Sequence, residues 1–234
     1  FTHHEEDIVS LAIHPNGTTI ATGQMAAKGK AKLIDLYIWN INNLPDETNV
    51  LANERTNTPK GVTNLKGALL RAIRIVQFSP DGKRLLANGQ DDYNSVAVYN
   101  TSNLNNITLI GTVKVDGARV LDACWKNNNE FVTVGPKHIK FFKVSGRNIT
   151  QSKGVYGKVK VEPLVSAAFA FNKLFTGTDK GNLITWEGSN AASVKTICKN
   201  GPLYTLYYYA KDKILFSGGY DGIIIAYDNA KLNE

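Results

Sequence analysis

Residues 19–32 read T-I-A-T-G-Q-M-A-A-K-G-K-A-K, an apolar run into Gly23 followed by Gly29-Lys30. A phosphate-binding loop needs G-x-x-x-x-G-K-[ST] between a strand and a helix. Its backbone N–H groups then cradle phosphate while the hydroxyl meets Mg²⁺. Here Gly23 and Gly29 stand one residue too far apart, Ala31 replaces the hydroxyl, and L-I-D-L-Y-I-W-N (33–40) reads as a strand. The densest titratable cluster, H-H-E-E-D at 3–7, has the residue types of a metal site. Its place just before an apolar strand suits a strand-linking histidine and a turn aspartate better. Cys124 and Cys198 are too few for a cysteine zinc site or a disulfide framework, which points to a reducing compartment. The chain has no G-x-S-x-G elbow and no H-E-x-x-H pair. No catalysis, metal or cofactor is expected.

Stepping from these residues to the elements that carry them, internal repetition governs the fold. Five segments share one layout: an apolar strand, a short turn, a second strand ending in small residues and glycine, and a third closing on an aromatic. The first runs I-V-S-L-A-I-H-P-N-G-T-T-I-A-T-G (8–23) and the second I-R-I-V-Q-F-S-P-D-G-K-R-L-L-A-N-G (73–89). The closing aromatics Trp39, Tyr99, Phe142, Trp186 and Tyr227 lie 60, 43, 44 and 41 residues apart. A period in the low forties with P-x-G turns predicts an all-β, WD40-type β-propeller. The repeats span approximately 1–52, 66–113, 114–153, 158–198 and 199–234. A fourth strand is expected at 48–52, 107–113, near Ile149 and at 193–198. None is visible after Tyr227, so the five blades are expected to belong to a larger propeller of about seven blades, or to a tandem one.

Several motifs carry a family resemblance. H-P-N-G-T-T-I-A-T-G-Q (14–24) and R-A-I-R-I-V-Q-F-S (71–79) are similar to blades of the echinoderm microtubule-associated protein-like family. D-D-Y-N-S-V-A-V-Y (91–99) resembles its D-D-x-N-x-V-x-V-W. V-T-V-G-P-K-H-I-K-F-F (132–142) resembles its G-K-x-H-[IL]-x-F-W, with Phe142 in place of Trp, and G-T-D-K-G-N-L-I-T-W (177–186) resembles its G-D-S-x-G-N-I-x-V-W. The likeness follows blade order along essentially the whole chain. It implies tandem propellers with a HELP motif ahead of them, a non-catalytic scaffold, and binding to tubulin, microtubules and other cytoskeletal proteins. The implied place is the cytoplasmic cytoskeleton, with the cilium or axoneme as a further one. The alternative is a WD40 scaffold of another cytoplasmic or ciliary complex that does not touch tubulin.

In such repeats a His, a Ser/Thr and a Trp link strands by buried hydrogen bonds, and His4, Thr22 and Trp39 are the candidates here. His14 and His138 read as turn and strand residues, and Asp122, Asp179 and Asp221 as turn formers. The formal net charge of +7 favours an acidic partner. Loops between second and third strands, and loops between blades, leave a propeller on one face. Lys28, Lys30, Lys32, Lys66, Arg71 and Lys137 sit in such loops and are the partner-binding candidates. Nucleic acid is not expected, because Y-T-L-Y-Y-Y (204–209) alternates as an inner strand and lacks adjacent basic residues. A membrane is not expected either, because no apolar run is long enough to span one.

Overall fold

Side chains on a strand point alternately to its two faces, so a chain of short alternating strands can stack one sheet on the next. The computed structural model describes residues 4, 6–26, 36–43, 62–65 and 68–233, which divide into two units. One comprises residues 1–117 and 146–148, the other residues 118–145 and 149–234.

The first unit holds two four-stranded blades. One is β1 (Ile8–Ile13), β2 (Thr19–Gln24), β3 (Leu36–Asn40) and β4 (Val62–Asn64); the other is β5 (Ile73–Phe78), β6 (Arg84–Gly89), β7 (Val96–Asn100) and β8 (Thr108–Val113). Both are antiparallel meanders. Ala21, Leu36 and Ile38 pack against Ile73, Val76, Leu85 and Ala97 to form the core between them. The P-x-G turns meet as well: His14 Nε2 lies 3.0 Å from the Gly82 carbonyl, and its ring sits edge-on to Phe78. The place beside β3 belongs to Val62–Asn64, whereas the strand expected at 48–52 lies outside the described residues.

The second unit holds three blades. They are β9 (Asp122–Trp125) to β12 (Asn148–Lys153), with β10 (Glu130–Gly135) and β11 (His138–Ser145) between; β13 (Leu164–Ala170), β14 (Lys173–Thr178), β15 (Asn182–Glu187) and β16 (Asn190–Thr196); and β17 (Thr205–Tyr209), β18 (Ile214–Gly218) and β19 (Ile224–Tyr227), followed by the short helix α1 (Asn229–Asn233). Alternation is clear on the middle blade. Leu174, Ile184 and Trp186 face Val132, Val134 and Ile139, while Phe175 and Leu183 face Leu203, Leu206 and Leu215. In β17 the same alternation buries Leu206 and leaves Tyr207 exposed.

A recurrent irregularity shapes the inner strands. The register shifts between Ile8 and Ser10, between Ile73 and Ile75, and between Leu164 and Ser166, which is the mark of a β-bulge. After each bulge a side chain can cross to the next blade. Ser10 Oγ donates to the Ile73 carbonyl at 2.6 Å, and Ser166 Oγ to the Leu203 carbonyl at 2.7 Å. Gly23 pairs with Ser10 and Gly177 with Ser166, and a Cβ on either glycine would collide with the serine hydroxyl.

Two turns carry unusual backbone. Phe171 and Asn172 form the entire β13–β14 connection with φ of 49° and 61°, the mirror-image hairpin turn that glycine and asparagine favour. The Phe171 ring offsets the cost by packing edge-on to Tyr208 at 5.3 Å and to Phe175 at 6.4 Å. Gly181 has φ of +80°, and a Cβ there would run into the Cys198 carbonyl. Its own carbonyl accepts the N–H groups of Ile197 and Cys198 at 2.9 and 3.0 Å. Gly181→Ala is therefore expected to cost about 3 kcal/mol, from left-handed strain plus the loosened loop bonds, read as a lower urea midpoint.

Candidate functional site

The three hydrogen-bond candidates are brought together in the first blade. Trp39 Nε1 donates to Thr22 Oγ1 at 3.3 Å, and Thr22 Oγ1 lies 2.8 Å from His4 Nε2. His4 Nδ1 lies 2.6 Å from Gln24 Oε1. The chain of donors is consistent when the imidazole carries its proton on Nδ1: Trp39 gives to Thr22, Thr22 to His4, and His4 to Gln24. The His4 ring also stands edge-on to Tyr37 at 4.7 Å. The fourth blade repeats half of this arrangement, with Trp186 Nε1 donating to Thr176 Oγ1 at 2.9 Å. Among the described residues no group of His, Cys, Asp or Glu side chains is arranged to hold a metal ion.

The lysine candidates are not gathered. Lys28, Lys30, Lys32 and Lys66 lie outside the described residues. Arg71 belongs to the first unit, has φ of 69°, and pairs with Asp92 at 2.7 Å. Lys137 belongs to the second unit, exposed on the two-residue turn between β10 and β11. His138 and His14 fall on a strand and a turn, and Asp179 and Asp221 on turns.

Asp122 does not form a turn. It opens β9, at the repeat position held by Ser10 and Ser166 in their blades. Its carboxylate accepts the N–H of Ala123 and, from the next blade, that of Ala167, each at 2.8 Å. Burial is the dominant influence and pushes its pKa up to about 6, with the two N–H donors pulling against it. Burial, reinforced by Asp122, also drives the neighbouring Cys124 thiol well above its usual range, which leaves it inert.

The end of the second unit where β9, β13 and β17 begin is defined by register. Asp179 N–H donates to the Pro163 carbonyl, Leu203 N–H to Thr178, and Tyr220 N–H to Pro202. The connections around these bonds therefore lie at one end. Arg119, Lys137, Lys158, Lys160 and Lys199 are exposed on them and form no ion pair among the described residues. At the other end Lys126 pairs with Glu130 at 2.8 Å and Lys173 with Glu187 at 3.0 Å. Arg119 and Lys199 escaped the sequence reading, although both lie in inter-blade loops like Lys158. Tyr204 and Tyr220 escaped it too, the first absorbed into an alternating strand and the second lying between two strand patterns.

Two cavities among the described residues offer no reaction centre. One of about 300 Å³ is lined by the Lys173–Glu187 pair with Thr185, Ser193 and Asn229. Another of about 110 Å³, between the third and fourth blades, is lined by Phe141, Phe169, Trp186 and Lys126. Neither places a nucleophile beside a base, and each lysine is already tied to a carboxylate.

The family model described as the echinoderm microtubule-associated protein first β-propeller matches residues 1–234. The chain is 26% identical to the 77 kDa echinoderm microtubule-associated protein of Strongylocentrotus purpuratus, over 96% of this chain and 32% of that one. It is likewise 26% identical to human echinoderm microtubule-associated protein-like 2, over 99% of this chain and 35% of that one. The chain thus spans about a third of the length of these relatives. Among solved structures it resembles the Cps50 (Swd1) β-propeller domain of Myceliophteria thermophila, with a TM-score of 0.75 at 16% identity, over 99% of this chain and 68% of that one. The last likeness bears on the fold alone.

Two expectations follow from the buried polar groups. Thr176→Val, which strands the fully buried Trp186 N–H, should cost about 2–3 kcal/mol, and Thr22→Val about 1 kcal/mol because Trp39 is only half-buried. Asp122 has a folded-state pKa above its ordinary 3.8, so its contribution is full below that value and is lost as pH rises through about 6. The stability difference between wild type and Asp122→Ser, from urea midpoints, should shift against wild type across that window and be flat above it.

Proposed function

We propose a function from one premise: the chain belongs to the echinoderm microtubule-associated protein family. It acts as a non-catalytic scaffold that binds tubulin or microtubules through the loop ends of its blades, within the cytoskeleton. The observation that carries this reading is the basic loop end of the second unit, where Arg119, Lys137, Lys158, Lys160 and Lys199 are exposed and form no ion pair among the described residues. An exposed cation with no local partner loses little by meeting an acidic surface, and several acting together give attraction that salt screens. The family relatives are named for microtubule association, and a microtubule is a repeating acidic surface on which many weak contacts add. The lysines of the 28–32 stretch extend the same chemistry in the first repeat.

Co-sedimentation with microtubules tests the proposal. Binding should fall steeply as salt rises from about 0.05 to about 0.3 M, where the screening length shrinks below 10 Å. Reversing Lys137, Lys158 and Lys160 to Glu should weaken it about tenfold, as should reversing Lys28, Lys30 and Lys32. No pelleting at low salt would transfer the reading to a scaffold of another complex that does not touch tubulin.

A further inference from the structure

We propose that the second unit carries, at the loop end where β17 begins, a docking site for an acidic extended peptide. Tyr204 and Tyr220 receive an aromatic or proline side chain, and Lys180 and Lys199 meet the carboxylates on either side of it. The site goes beyond the microtubule reading and does not depend on it.

The two rings are 57% and 64% exposed, with centroids 6.5 Å apart and planes inclined at 56°. They form an open notch rather than a closed aromatic pair. Tyr204 stands next to Thr205, which faces Gly218 as Ser166 faces Gly177. It lies just before β17, and neither the core cluster around Trp186 nor that around Leu206 includes it. Tyr220 lies on the β18–β19 turn with its ring against Gly201, where an added Cβ would come within 2.7 Å of Cγ.

The backbone beneath the notch is fixed. Tyr220 N–H donates to the Pro202 carbonyl at 2.9 Å, and Leu203 N–H to the Thr178 carbonyl at 2.9 Å. The Gly181 carbonyl ties down Ile197 and Cys198. These bonds join the loop bearing Lys180 to the loop bearing Lys199 and to both tyrosines. Rings held this way lose little freedom on binding, and tyrosine on a rigid loop is a common energetic centre of protein interfaces.

Charge selects the partner. The exposed Asp221 carboxylate accepts the Ile223 N–H at 3.2 Å, which occupies one of its oxygens within the turn. Asp179 is only 30% exposed and lies 3.7 Å from Lys180 Nζ, a loose contact that an incoming carboxylate can replace. Lys199 forms no ion pair among the described residues, and Lys158 and Lys160 stand at the same end. A nucleic acid strand fits less well, because bases stack on parallel ring faces and these planes are steeply inclined.

Fluorescence anisotropy on the whole 234-residue chain tests the site with three labelled probes. They are a short peptide of glutamates around a central tyrosine, the same peptide with a central alanine, and an oligothymidylate of equal length. The tyrosine peptide should bind about tenfold more tightly than the other two. Tyr204→Ala and Tyr220→Ala should each remove that advantage, and Tyr204→Phe should keep it. The double variant Lys180→Glu with Lys199→Glu, which touches no packing, should weaken both peptides. Equal binding of the two peptides, indifference to both alanine variants, or preference for the oligothymidylate would overturn the proposal. None of these outcomes bears on microtubule pelleting, so the two readings fail separately.

Discussion

Stacked sheets that meet only through apolar side chains can slide along their strands at little cost, because hydrophobic attraction has no direction. What stops the slide here is one polar side chain just inside each of three inner strands, reaching the backbone of the next blade. Ser10 and Ser166 give a hydroxyl proton to a carbonyl, and Asp122 takes an amide proton instead. Each bond contributes on the order of 1 kcal/mol net, yet leaving its buried partner unmet would cost more. The lock therefore sets register more than stability. The bulge turns the side chain outward, and the bare glycine opposite Ser10 and Ser166 leaves room for it. Because blades are locked at the start of their inner strands, the loops beside those starts come to one level. Every surface feature assigned to the second unit inherits its geometry from that fact.

Aspartate in place of serine changes the character of the third blade's lock. A hydroxyl is indifferent to pH, whereas a carboxyl held among apolar neighbours resists ionisation. The opposite residue is Val134 rather than glycine, so the swap alters both the charge and the packing of the joint.

Much of this was legible in the sequence because repetition multiplies weak signals. The closing aromatics placed the third strand of every blade, and the family-like motifs fell on the strands and turns expected of them. The failures have physical causes. The outer strand of the first blade is only three residues, V-T-N, too short for any period to show. Aspartate usually forms turns, and only the repeat register of Asp122 with Ser10 and Ser166 reveals a strand position. Tyr204 lies just before β17, which begins at Thr205, so the two-residue alternation of the strand does not extend to it. His4, Thr22 and Trp39 were found together because their roles depend on spacing from a recognisable strand, while four of the six basic candidates lie outside the described residues.

The turn at Phe171 and Asn172 bears on how the second unit comes together. A hairpin closed by a bulky residue in the left-handed region is a poor nucleus on its own, since the strain arises before any distant contact can offset it. One of the two rings against Phe171 is Tyr208, some forty residues later on the neighbouring blade. The β13–β14 hairpin has its own Phe175 against Phe171 but gains the Tyr208 contact only once β17 has been made, so this one turn couples blades four and five.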